Sequence, residues 1–350
     1  MLRGSQFAQL ALATVGLYTA GFYTASFYLH TSNPSNVTTQ RVSPKSTVSM
    51  GKQSYCGPNC DAPATPRHRQ KLPPLPMLLP LGDSITDGGT AATSYRYHLL
   101  KLLNRAGHAV AWTGSLSGVY DRNHGTNVSA GLKWRTVRDW PDAAQFHEGH
   151  WGWTAQELLN GNSEQPQRAS LDEWLSKPAN GWSSRLPSHR AWPDVALVHL
   201  GTNDITQEVF RQGRTAHIVT QRVAAIVQKL CEANPKIVML LAHPIPYCRF
   251  REGTTAERAL RRSRRRAAEQ ELNRGLDRLC VDSQVHSSRE RGLISDACRQ
   301  ATVTCIDLNV ECAHLRADGV HPSVIGATRM AAAWYAALLP YLDTTTSSSR

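Results

Sequence analysis

The chain has 350 residues and 8 cysteines, yet no two cysteines stand in C-x-x-C spacing. The commonest zinc-site pattern is therefore missing. The H-E-x-x-H arrangement of helical metal sites is missing too. Its nearest approach, His147-Glu148-Gly149-His150, has one residue too few between the histidines. No internal repeat is visible. Charged residues are only 19% of the chain against 41% apolar ones, a globular rather than a disordered balance. Acidic residues are the scarcer charge, 27 against 39 Lys and Arg, for a net +12. Much of the surplus lies between Arg249 and Arg278, so it describes one segment better than the whole protein.

Behind Arg3, the stretch from Phe7 to Leu29 is uncharged and long enough to cross a bilayer. Residues 1–30 read as a signal peptide or a signal anchor, with secretion favoured. Residues 31–75 are rich in Ser, Thr, Pro and Gln with little apolar periodicity, and read as a flexible tether. The even cysteine count fits disulfides formed in the secretory pathway, with a small loop between Cys56 and Cys60. Asn36 and Asn127 lie in N-x-[ST] sequons, which fit the same route. A folded domain is expected over residues 76–343, with a disordered tail at 344–350.

Within that domain strand-like and helix-like segments alternate. Strands are expected at Met77–Leu81, Ala109–Thr113, Asp194–Leu200, Lys236–Ala242 and Thr302–Ile306. Helices are expected at Ser94–Arg105, Thr154–Leu159, Ala216–Ala233, Arg258–Cys280 and Ile325–Leu342, with a long loop through Gly131, Pro141 and Gly149. Thr154 and Glu157 have capping-box spacing. This alternation implies parallel crossovers and a sheet covered on both faces.

Four segments carry chemistry. Gly82-Asp83-Ser84 ends the first strand, where ligands of open α/β sheets bind. Read alone, it is equally an ordinary turn with a serine cap. His147 to Thr154 reads as a turn that offers the backbone N–H of Gly152. Gly201-Thr202-Asn203-Asp204 ends a buried strand. Asn203 can donate its amide to a developing oxyanion, while Asn and Asp are also common helix caps. Asp318-Gly319-Val320-His321-Pro322 sets a carboxylate and an imidazole three apart on a turn, although a lone Asp or His on a loop is usually just solvated.

Taken in order, the four segments resemble the signature blocks of the SGNH (GDSL-like) hydrolases, over roughly residues 77–342. The nearer likeness is to carbohydrate esterase family three, the acetyl xylan esterases. It is carried by Leu79-Pro80-Leu81-Gly82-Asp83-Ser84-Ile85-Thr86, by His147-Glu148-Gly149-His150 leading to Gly152-Trp153-Thr154, by His199 to Ile205, and by Asp318 to Pro322. The resemblance implies a three-layer α/β/α sandwich around a mostly parallel five-stranded sheet. It implies Ser84 as nucleophile, His321 as base and Asp318 as its orienting acid. Ser84, Gly152 and Asn203 would form an oxyanion hole, with neither metal nor organic cofactor. The expected substrate is an ester, best an acetylated polysaccharide such as xylan, cleaved by a monomer that is secreted or anchored on the lumenal or outer side.

A lysophospholipase-like lipid esterase is the alternative, but no long apolar lid is present. A non-catalytic glycan-binding scaffold is disfavoured by the presence of all four block residues. Three features depart from the family: the N-terminal region, Trp151 where a smaller residue or Pro is expected, and the arginine run around Arg261 to Arg266. The run, with Arg258 before it, reads as a solvated helix face, partly paired with Glu257, Glu269 and Glu271, rather than a patch for nucleic acid or an anionic glycan. Trp112, Trp134, Trp140, Trp151 and Trp153 crowd the loops expected near the site, and most read as core.

Overall fold

Six consecutive buried residues, Met77–Gly82, form the strand β1 around which the domain is built. The computed structural model describes residues 75–120, 134–135, 137–163, 170–175, 192–209, 213, 215–249, 254–282 and 296–342. The expectations for the N-terminal segment, the tether, the tail, Cys56, Cys60 and both sequons lie outside those residues.

Strand β1 is followed by β2 (Ala111–Trp112), β3 (Leu116–Ser117), β4 (Val119–Tyr120), β5 (Trp134–Arg135), β6 (Phe146–Gly149), β7 (Val195–His199), β8 (Val238–Ala242) and β9 (Thr302–Ile306). The parallel pairs β2–β1, β1–β7, β7–β8 and β8–β9 reproduce the five expected strands. Two short strands extend that sheet to seven: β6 runs parallel to the second half of β1, and β3 pairs antiparallel with β6. Both lie in the expected long loop. They are short and carry polar residues, so they gave no apolar run to read.

The split edge of β1 explains a proline in a central strand. The bonds Ala111 N–H to Pro76 O, Thr113 N–H to Leu78 O and His150 N–H to Gly82 O show that even-numbered residues face the β2/β6 edge. Pro80 therefore faces the gap after β2 ends and before β6 begins, where a missing N–H breaks no ladder bond.

The alternation of β-strand side chains feeds two cores. Leu79, Leu81, Val198, Met239 and Leu241 face one side, with helices α3 (Ala155–Asn160), α4 (Leu171–Leu175), α5 (Ala216–Ala233) and the later turns of α6 (Thr255–Asp282). Leu78, Val195, Leu197, Val238 and Leu240 face the other, against α2 (Tyr95–Arg105) and α7 (Val324–Leu338). Helix α7 buries Ala327, Met330, Ala331, Trp334 and Leu338, one stripe at i, i+3, i+4, i+7 and i+11. Each such leucine or methionine contributes roughly 1.5–3 kcal/mol relative to exposure. The result is the expected α/β/α sandwich. Trp112, Trp140 and Trp153 are core residues, as read.

Disulfides join Cys231 to Cys298, Cys248 to Cys312 and Cys280 to Cys305. All three lie on the β8/β9 side of the molecule. Among the described residues no helix is long and apolar enough to cross a membrane.

Candidate active site

Four chain reversals at the carboxyl ends of the strands build the site. The first follows β1. A Cβ on Gly82 would stand 2.3 Å from Thr86 Oγ1 and 2.4 Å from the His199 carbonyl, so only glycine lets β1 and β7 close up there. Asp83 caps the next turn by accepting from Ile85 N–H at 2.9 Å. Helix α1 (Ser84–Asp87) ends after one turn at Gly88, in the left-handed conformation. Ser84 is thus fixed at the top of the sheet, 6% exposed.

The turn is held from outside by Arg96 of α2, which the helical spacing of Tyr97 and Leu99 gave no reason to single out. Arg96 is fully buried, yet it donates to the carbonyls of Thr86, Asp87, Gly118 and Gln145 at 2.8–2.9 Å. Five N–H donors in a planar fork suit such a hub. Burial lowers its pKa to about 10, opposed by the Asp87 charge, so it stays protonated. Burial pushes the Asp83 carboxyl the other way, up to about 7, with Ile85 N–H opposing and the Asp204 charge adding.

The fourth segment is a loop closed by the Leu315–Pro322 bridge and by Arg316 N–H to His321 O at 2.8 Å. Asp318 Oδ1 accepts from the backbone N–H groups of Val320 and His321, an Asx turn that sets the two side chains side by side. Asp318 Oδ2 lies 3.0 Å from His321 Nδ1, and His321 Nε2 lies 2.9 Å from Ser84 Oγ. Partial burial raises the Asp318 carboxyl. The His321 and Val320 backbone N–H groups and the His321 imidazole outweigh it and hold the carboxyl below its usual range. Cys248 N–H donates to Gly319 O at 2.7 Å, and the Cys248–Cys312 disulfide ties the segment just before this loop to the chain after β8.

The second and third segments clamp each other. Asn203 Nδ2 donates to Trp153 O at 2.9 Å, and Gln207 Nε2 to Gly152 O at 3.1 Å. Both oxygens of Asp204 lie 3.0 Å from Ala155 N–H, the first of α3. Asp204 therefore does not serve the next helix, as a local cap would, but accepts from the first N–H of a helix 49 positions earlier in the chain, whose N-cap is Thr154. Gly152 is left-handed, with open space where a Cβ would stand. Thr154 and Glu157 complete the expected capping box. His147, Glu148 and Gly149 belong to strand β6 rather than a turn. Of their polar atoms, His147 Nδ1 accepts from Gly149 N–H, and Glu148 meets Ser115 N–H and His150 Nε2.

The sequence gave no account of Trp151. Its ring stacks on the His321 imidazole, centroids 5.1 Å apart and planes 18° apart, and also on the Tyr120 ring. Arg265 is the other surprise. Arg261, Arg262, Arg264 and Arg266 are exposed, as a solvated face requires, but Arg265 is 3% exposed. It lies over the Tyr247 ring, pairs with Glu269 at 2.9 Å, and donates to Thr206 Oγ1 at 2.7 Å and Thr202 O at 3.4 Å. It anchors the turn that bears Asn203. Among the described residues one group has the geometry of metal ligands: His243, Asp277 and Cys305. Cys305 is bonded to Cys280 and has no thiolate to offer.

In the known solved structures the chain is similar to a family 3 carbohydrate esterase from Clostridium thermocellum, at 19% identity over 76% of this chain and 96% of that one, TM-score 0.48. It is also similar to a carbohydrate esterase family 3 protein from Talaromyces cellulolyticus, at 18% over 76% and 97%, TM-score 0.47. A third is the lipase/acylhydrolase from Enterococcus faecalis, at 14% over 78% and 100%, TM-score 0.43. No curated protein matches. Residues 78–334, which span all four turns, match the family described as GDSL-like Lipase/Acylhydrolase. A match from β1 to α7, across a site assembled from both ends of the domain, makes this chain a member of the GDSL-like lipase/acylhydrolase family and a carboxylic ester hydrolase.

Proposed function

We propose that the protein is a serine esterase that removes acetyl groups from a polysaccharide, xylan being the substrate to test first. One observation carries the chemistry: the unbroken series Ser84 Oγ, His321 Nε2, His321 Nδ1, Asp318 Oδ2, with contacts of 2.9 and 3.0 Å. In this reading Ser84 Oγ attacks the ester carbonyl and its proton passes to His321 Nε2. Asp318 fixes the imidazole tautomer and stabilises the cation that forms. The backbone N–H groups of Ser84 and Gly152 and the second amide hydrogen of Asn203, beyond the one held by Trp153 O, receive the oxyanion. The alcohol leaves with the His321 proton. Water, deprotonated by the same imidazole, then releases acetate and restores Ser84.

The acetylated polysaccharide rests on the resemblance of the four sequence blocks to carbohydrate esterase family three. Three disulfides support assignment to an oxidising, extracellular or lumenal compartment. The test is acetate release from acetylated xylan and from a nitrophenyl ester, with Ser84→Ala as the control. Release from both that vanishes in the variant supports the reading. Release that survives in Ser84→Ala ends the triad assignment, and cleavage of the small ester alone ends the xylan one.

A further inference from the structure

Arg265 and Glu269, one turn apart on α6, form a largely buried ion pair, with 2.9 Å between Nε and Oε1. Burial lowers the Arg265 pKa and raises that of Glu269, each opposed by its partner. Desolvation offsets much of the attraction in such a pair, so stability is a weak reason for it. Its other contacts lead to the active site.

Arg265 Nη1 donates to Thr206 Oγ1 at 2.7 Å and Nη2 to Thr202 O at 3.4 Å. Thr206 Oγ1 donates in turn to Thr202 O at 2.7 Å, so both contacts converge on the residue before Asn203. The flat guanidinium also lies over the Tyr247 ring, 3.9 Å from its centre, and Tyr247 N–H donates to the Glu269 carboxylate. The next residue, Cys248, gives its N–H to Gly319 O at 2.7 Å, between Asp318 and His321. The approach there is close, since a Cβ on Gly319 would stand 2.7 Å from Arg249 N. The turn that bears Asn203 and the turn that bears His321 are thus tied to each other through Arg265 and Glu269. Arginine suits this place, because its fork bonds two acceptors while its face stacks on a ring, which lysine does not do.

We infer that Arg265 is a positioning residue, which holds Asn203 in register with His321 and acts through those two turns rather than on the substrate. The inference rests on the reading of Ser84, His321 and Asn203 as esterase machinery. Arg265→Met/Glu269→Gln tests it in the full chain. The pair of changes leaves net charge unaltered, keeps an apolar stem over Tyr247 and leaves an oxygen for Tyr247 N–H. On nitrophenyl acetate kcat is expected to fall about 10- to 100-fold while KM stays within about threefold of the wild type. The urea midpoint should stay near that of the wild type. Arg265→Lys keeps a cation for Glu269 but neither the fork nor the stack, and should lose kcat to a similar degree.

A cycle with Asn203→Ala separates positioning from general packing. With Asn203 gone there is no donor left to place, so adding Arg265→Met/Glu269→Gln should cost less than about threefold more in kcat. Losses that multiply would overturn the inference, as would full kcat in the folded pair variant or in Asn203→Ala alone. If the pair variant does not fold, the same cycle run with Arg265→Lys decides. Ser84→Ala is the control for the esterase reading. Activity that survives it refutes that reading and this inference together, whereas Ser84-dependent activity indifferent to Arg265 refutes the positioning role alone.

Discussion

Ser84 and His321 meet at 2.9 Å but come from two differently built turns. The Ser84 turn is fixed by sterics and burial. Gly82 admits no side chain, Arg96 stitches four carbonyls together beneath it, and Asp83, Thr86 and Asp87 are almost wholly buried. The Asp318–His321 turn is half-exposed and is fixed by bonds: two N–H groups on Asp318, one on Gly319, and a nearby disulfide. The packing around the first turn is part of the core, so damage to that packing is expected to cost stability. The second turn sits on the core, so on the proposed triad damage there is expected to cost activity and leave the fold intact.

Two substitutions sharpen that contrast. Asp318→Asn is expected to lower kcat/KM by roughly 10³–10⁴-fold, because an amide in place of the carboxylate selects the wrong imidazole tautomer. Its urea midpoint should stay near that of the wild type. A large shift in that midpoint would make the turn structural after all. Gly82→Ala should do the reverse, costing roughly 3 kcal/mol of stability, since backbone and Thr86 must both give way to the added methyl. If it folds as well as the wild type, the close approach of β1 to β7 does not constrain this turn.

A third expectation concerns the buried Asp83 carboxyl. Its folded pKa of about 7 exceeds the ordinary value of 3.8, so between those values the folded state binds the extra proton. Stability from this group is therefore lost as pH rises through that window, and the cost is complete above about pH 7. Asp83→Asn keeps an oxygen for Ile85 N–H and removes the ionisation. Its stability relative to the wild type should climb from pH 4 to pH 7, by an amount on the order of a few kcal/mol, and then level off. Urea melts at four pH values measure this, and a difference independent of pH would refute it.

The contrast also explains what was legible in the sequence. Apolar runs ending at glycine marked β1 and β7, and the helices expected at Ala216–Ala233 and Ile325–Leu342 are present, each burying a continuous face. Ser84, His321 and Asp318 were legible as local motifs, and the structure brings them together. What connects distant segments was not legible. Arg96 looked like one polar residue on an amphipathic helix, and Arg265 like one of a run, since nothing local tells a buried guanidinium from a solvated one. Strands β3 and β6 are too short to alternate visibly. The partner of Asp204 lies 49 positions away, a distance no spacing rule covers.

Trp151 gives the smallest expected effect and the finest test. It belongs to neither turn, yet its ring stacks on His321 and is itself stacked with Tyr120. Such a stack limits how far the imidazole can swing, and aromatic pairs contribute about 0.5–1.5 kcal/mol beyond the area they bury. Trp151→Leu should therefore reduce kcat for a nitrophenyl ester about three- to tenfold, an energy of that same size. Trp151→Phe, which keeps a flat ring, should recover most of the loss. If both variants lose the same activity, the width of the indole matters rather than the stack. If neither loses any, the two bonds to Asp318 and Ser84 suffice to orient His321, and the turn needs no support from outside its own hydrogen bonds.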